Sequence, residues 1–155
     1  MKIGVADTMF SRVNMFPFVE EGLKDSGFDG LIERYTVPGV KDLPVACKRL
    51  FLDHNCDIVI ALGMPGPMPV DKTCTHEASL SIQQVQLDVK KHILEVFVHM
   101  DEAKSDKELS EICKNRSYKH TLNAVALLKG KTELSKYAGQ GVRQGFPDEG
   151  PVDLK

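Results

Sequence analysis

The chain has no pair of cysteines at CxxC spacing; its four cysteines (Cys47, Cys56, Cys74 and Cys113) lie far apart. Neither a zinc cage nor a thioredoxin-like motif is indicated, and reduced, mostly buried thiols are expected rather than a disulfide. No apolar run is long enough to span a bilayer. The N-terminus runs directly into Lys2-Ile3-Gly4-Val5-Ala6, too short a lead for a signal peptide, so the expected location is cytoplasmic. Neither charge dominates: 20 Lys and Arg face 22 Asp and Glu, a net charge of −2. That balance makes no broad electrostatic case for nucleic acid or an anionic membrane.

Several catalytic signatures are also missing. The turn after the first apolar run, Asp7-Thr8-Met9-Phe10-Ser11-Arg12, carries no GxGxxG, so the dinucleotide fingerprint is absent. There is no P-loop and no GxSxG elbow. A phospho-accepting receiver domain needs an Asp after its third strand, where this chain has Ala61-Leu62-Gly63-Met64-Pro65-Gly66. No repeat, linker or low-complexity tract interrupts the sequence.

What is present fits one domain. The 155 residues are 42% hydrophobic and 27% charged, enough to bury a real core. Four short apolar runs, Ile3 to Ala6, Leu31 to Val37, Asp57 to Leu62 and His92 to Val98, read as strands. Between them Leu43, Ala46, Cys47, Leu50 and Phe51 share one helical face, as do Ala78, Ile82, Val85 and Val89. Leu109, Ile112, Cys113 and Arg116 define the last helix, opened by the capping box Ser105 to Glu108. Pro17 suits the first turn of a helix beginning near Asn14. Alternation of this kind predicts a three-layer α/β domain, a four-stranded parallel sheet with helices on both faces. The glycine-rich tail from Gly139 to Lys155 departs from the pattern. It reads either as solvated or as an arm on a neighbouring subunit, anchored by Phe146 and Arg143.

In open α/β sheets ligands bind at the carboxyl edge of the strands. That edge gathers Phe10, Ser11 and Arg12 after strand 1, and Val40, Lys41 and Asp42 after strand 2. Gly63, Met64 and Pro65 follow strand 3, and His99 closes strand 4. Thr75-His76-Glu77 is expected to open the third helix after a proline-rich loop. Each residue has an ordinary alternative. Phe10 reads equally as a core or surface aromatic, His76 as a helix-start residue and Arg12 as solvated. A first-turn Glu77 would be explained by the helix dipole alone.

The segment Val37-Pro38-Gly39-Val40-Lys41-Asp42-Leu43-Pro44 resembles the Val-Pro-Gly segment of lumazine synthases. More closely, several segments resemble archaeal-type riboflavin synthases: Leu43 to Lys48, Ala61 to Gly66, His76 to Leu80, Glu95 to His99 and Arg143 to Phe146. The likeness covers roughly residues 2 to 151. It implies a homopentamer of flavodoxin-like subunits with active sites between neighbours, which converts two molecules of 6,7-dimethyl-8-ribityllumazine into riboflavin and 5-amino-6-(ribitylamino)uracil. No organic cofactor is implied; Mg²⁺ could stimulate the reaction, though no ligand cluster requires it. The loop Met64 to Lys72 lacks the Arg and His with which lumazine synthases hold a butanone phosphate. Aligning Lys119 with that family's last-helix lysine puts Glu111 where its phosphate-binding Arg would lie. Lumazine synthase itself and a non-catalytic flavin or lumazine carrier stay open as alternatives.

Under this resemblance Phe10 stacks on a ring, and backbone groups of Ser11, Val40, Lys41 and Gly63 meet the pyrimidine and ribityl edges. Met64 and Pro65 complete the wall. Asp42 accepts from ribityl hydroxyls, and Lys41 and Arg12 stabilise anionic ring states. His76 with Glu77 is the first choice for proton transfer, His99 the second.

Overall fold

The computed structural model describes residues 1–153, so the tail's last two residues lie outside the described part. Four strands, β1 (Lys2–Thr8), β2 (Leu31–Val37), β3 (Ile58–Gly63) and β4 (Ile93–Phe97), form one sheet in the order β2-β1-β3-β4. Every pairing is parallel, with Asp7 opposite Thr36 and Gly63 opposite Phe97. Four helices cover it: α1 (Phe16–Asp25), α2 (Leu43–Leu52), α3 (Pro69–Val89) and α4 (Asp106–Lys129).

The two-residue period of the strands sorts the core. Ile3, Val5, Ile58, Ile60, Leu62, Val96 and Val98 face Val19 and Leu23 of α1 and Leu109, Ile112 and Cys113 of α4. Ala6, Val59, Ala61 and Ile93 face Leu43, Leu50 and Phe51 of α2 and Ile82 and Val85 of α3. Central β3 is buried throughout, which explains its unbroken apolar run. A fully buried side chain such as Leu50 contributes about 1.5–3 kcal/mol. Cys47, Cys56 and Cys113 are buried free thiols. Burial pushes them up to about 12, 11 and 11, which makes them inert packing groups.

One expectation fails at α3. The helix starts at Pro69, not at Thr75, so His76 and Glu77 stand about two turns inside it. Pro69 supplies the fixed φ of a first-turn position, and the Asp71 carboxylate accepts the Met68 N–H at 3.0 Å. The helix dipole therefore does not account for Glu77. The α4 cap forms differently from a strict capping box. Ser105 Oγ accepts the Glu108 N–H at 3.2 Å, but the Glu108 carboxylate reaches the Lys104 N–H.

Glu95 sits on β4 against α3, half-buried, its carboxylate accepting from Ser79 Oγ at 2.7 Å. Burial raises its pKa, against the lowering effect of that hydrogen bond. A raised folded pKa gives stability that is complete below the unfolded value and lost as pH climbs through the folded one. Glu95→Gln is therefore expected to melt above the wild type at pH 7, with the gap closing below the ordinary glutamate range. Thermal melts at the two pH values check this; a gap independent of pH would contradict it.

Candidate active site

The segment after β1 is stitched to the Val-Pro-Gly turn after β2. Met9 N–H donates to the Val37 carbonyl at 2.8 Å and Phe10 N–H to the Pro38 carbonyl at 3.0 Å. Beneath this seam Asp7, only 7% exposed, spends both carboxylate oxygens on β2. Oδ2 accepts Arg34 Nη2 at 2.5 Å, and Oδ1 accepts Thr36 Oγ1 at 2.6 Å. Arg34 in turn lies over the Phe16 ring at 4.2 Å. The buried Asp7 carboxylate thus ties the ends of both strands together and sets the height of Phe10 above the sheet.

Phe10 stands 67% exposed with its ring against Gly39. Beside it the chain makes a short 3-10 turn at Val40–Asp42 before α2. Gly63 closes the floor. A Cβ there would sit 2.8 Å from the Phe97 ring and 2.9 Å from Val40, so only glycine admits this approach. Lys41 Nζ donates to Glu77 Oε2 across the opening, which raises the lysine pKa. Phe10, Val40, Lys41, Gly63 and Glu77 are thus one cluster, with Phe97 as a member the sequence reading missed.

The other expected residues are distributed differently. Arg12 turns to the start of α4, where Nη2 donates to both Asp106 oxygens at 2.9 and 3.0 Å. Ser11 Oγ lies 2.6 Å from Thr8 Oγ1. Met64 is buried, its Sδ accepting the Arg12 N–H at 3.4 Å, and Pro65 is a buried strut whose carbonyl accepts the Met100 N–H. The Gly63 carbonyl accepts the Val98 N–H at 3.0 Å, so it is already engaged. Asp42 is exposed and makes no side-chain cap bond to α2. His76 and Glu77 do not form a pair. Neighbouring helix positions diverge, Glu77 is taken by Lys41, and His76 points outward on α3, exposed.

His99 follows β4, two residues after Phe97 and just before a 3-10 turn at Met100–Glu102. Its N–H donates to Glu102 Oε1 at 2.8 Å, and its Nδ1 is buried with no hydrogen-bond partner among the described residues. Glu102 is gripped by Arg116, with Nη2 to Oε2 at 2.7 Å, while Arg116 Nη1 donates to the Phe97 carbonyl at 2.8 Å. Burial pushes Glu102 up, but the Arg116 and His99 hydrogen bonds together hold it below the usual range. Lys72 and Asp101, 2.5 Å apart, tie the start of α3 to this loop. Arg116 was legible only as a charged residue on the buried face of its helix. Among the described residues no three His, Cys, Asp or Glu side chains converge as a metal-holding group.

An exposed phenylalanine over a glycine floor at the sheet's carboxyl edge, flanked by a lysine–glutamate pair, makes this cluster the candidate small-molecule site. The 6,7-dimethyl-8-ribityllumazine synthase family model matches residues 1–132, and the chain belongs to that family. Over 152 residues it is 46% identical to a protein of Methanothermobacter thermautotrophicus named riboflavin synthase, covering 98% of this chain and 99% of the relative. The riboflavin synthases of Archaeoglobus fulgidus (46%, covering 98% and 99%) and Aeropyrum pernix (44%, covering 97% of each chain) match as fully. A 6,7-dimethyl-8-ribityllumazine synthase of the first organism matches over 59 residues at 39% identity, 37% of this chain and 42% of that relative.

Proposed function

We propose that the chain is a riboflavin synthase, which transfers a four-carbon unit from one 6,7-dimethyl-8-ribityllumazine to another. The products are riboflavin and 5-amino-6-(ribitylamino)uracil. The observation that carries this reading is the end-to-end similarity to riboflavin synthases against the short match to a lumazine synthase.

The charges along α4 support the same reading. The groove along α4 beside Lys119 is lined by Glu108, Glu111 and Asp148. A butanone phosphate entering it would meet three carboxylates and one ammonium, which repel rather than hold a dianion. A second neutral lumazine meets no such barrier. What one ring loses the other gains, so atoms and electrons balance without an outside oxidant, reductant or organic cofactor.

The C7 methyl of the lumazine is acidic because its carbanion delocalises into the ring. The protein's main task is to hold two rings in register, which supplies up to about 7–11 kcal/mol of the barrier. Phe10 stacks on the first ring and Lys41, opened from Glu77, stabilises its anionic state. Asp42, exposed beside them, accepts from ribityl hydroxyls. His99 is assigned the proton transfer, with Glu102 and Arg116 orienting it.

A ring of five cytoplasmic subunits with shared sites is part of the proposal. Exposed apolar side chains support it: Met9 and Phe10 at the strand ends, Val45 on α2, Leu80 and Leu87 on α3. No helix among the described residues is long and apolar enough to cross a membrane. Incubation with the lumazine as sole substrate tests the function, and adding butanone phosphate with the pyrimidinedione tests the family's namesake activity beside it.

A further inference from the structure

Residues 141–149 turn back onto α4 as a strap. Lys119 Nζ donates to the Arg143 carbonyl at 3.0 Å, and the Gly145 N–H donates to Asn115 Oδ1 at 2.7 Å. Gly145 has φ of +79°, and a Cβ there would lie 2.6 Å from Arg116 Nη2. That guanidinium is pinned by Glu102 and the Phe97 carbonyl, so it cannot step aside freely. The latch leaves the Phe146 ring with the guanidinium carbons of Arg143 and Arg116 at 5.1 and 5.8 Å from its centroid, and 46% exposed. Between the strap and α4 lies a cavity of about 520 Å³, walled by Phe146, Glu111, Asn115 and Lys119 among others.

An independent observation concerns where the similarities end. The lumazine synthase family model stops at residue 132, before the strap begins. The riboflavin synthase relatives match 97–98% of this chain, strap included. The strap thus accompanies the chains that bear the riboflavin synthase name. Chemistry supplies a reason. A reaction between a pyrimidine and a phosphate ester needs one ring face and one anion site, whereas a reaction between two lumazines needs two ring faces. The strand edge exposes Phe10 for one of them.

We propose that the strap supplies the other: Phe146 is a binding residue for the bicyclic ring of the second lumazine, and Asn115 and Lys119, which latch the strap to α4, are its positioning residues. This rests on the riboflavin synthase reading. Loss of one stacking face is expected to lower kcat/KM for 6,7-dimethyl-8-ribityllumazine about 5–150-fold in Phe146→Ala, mainly through KM. Melting temperature and assembly mass should be unchanged. Phe146→Tyr keeps a ring of the same shape and should recover to within about threefold of wild type. Gly145→Ala leaves Phe146 intact but lifts the strap; it should show the same loss, with faster tryptic cleavage at Arg143. Turnover by the wild type with Phe146→Ala within about twofold of it would overturn the strap assignment alone, as would Phe146→Tyr no better than Phe146→Ala. A wild type that forms no riboflavin would overturn the function reading and this proposal with it.

Discussion

His99→Ala is expected to lose about 10²–10⁴-fold in kcat with the lumazine KM near wild type, the loss typical of a missing general acid or base. Three features single out this histidine. It lies two residues beyond Phe97, which walls the ring site. Its backbone is fixed through Glu102 and Arg116, and its Nδ1 is shielded from water and unpaired among the described residues. His76→Ala is the control. That side chain lies exposed on α3 with no hydrogen bond or ion pair among the described residues, and its removal should leave kcat within a small factor of wild type. Single-turnover rates of the two variants would show the difference, since only the His99 variant should be slow in the chemical step. If the two variants behave alike, positioning and electrostatics carry the proton transfer and the His99 assignment is wrong.

Gly63→Ala is expected to damage fold and site together. The new methyl group would fall 2.8 Å from the Phe97 ring and 2.9 Å from Val40, both packed against the core under α2 and α3. Overpacking of this kind costs about 1–3 kcal/mol. Relief can only come from moving Phe97 or the 3-10 turn, and that turn carries Lys41 and Asp42. The melting temperature should therefore fall while the lumazine KM rises. Gly66→Ala is a useful comparison on the same loop, because its Cβ would first meet the Asp71 carboxylate, 2.4 Å away, and so disturb the α3 cap rather than the floor of the site. A Gly63→Ala protein with unchanged melting and kinetics would mean that the floor of the site is softer than this packing implies.

The sheet was legible because its strands are short, bounded apolar runs, and because β3 is apolar on both faces, as a central parallel strand must be. The start of α3 was not. Pro65-Gly66-Pro67-Met68-Pro69 has a composition that reads as loop, yet a proline fits the first helical turn, and the cap comes from Asp71 reaching back to Met68. Moving that boundary took His76 and Glu77 from a helix start to its exposed flank, and it broke the expected proton-transfer pair. The cluster of Phe10, Val40, Lys41 and Gly63 could be expected from strand ends alone. Its partners depend on contacts no local pattern encodes: Phe97 lies 34 residues from Gly63 in the chain but beside it in the sheet register. Two signals could have been read. Asp7 is a carboxylate within a strand that is otherwise apolar at its centre, and Arg116 occupies an apolar position of its helix face; each is the more buried partner of an ion pair.

The central claim is that this site joins two lumazines. The direct measurement is product analysis after incubation of the protein with 6,7-dimethyl-8-ribityllumazine as the sole substrate, with no nicotinamide, flavin or phosphate ester added. The account predicts riboflavin and 5-amino-6-(ribitylamino)uracil in equal amounts. Tight binding of the lumazine without riboflavin, or formation of lumazine only when the pyrimidinedione and butanone phosphate are supplied, would contradict it.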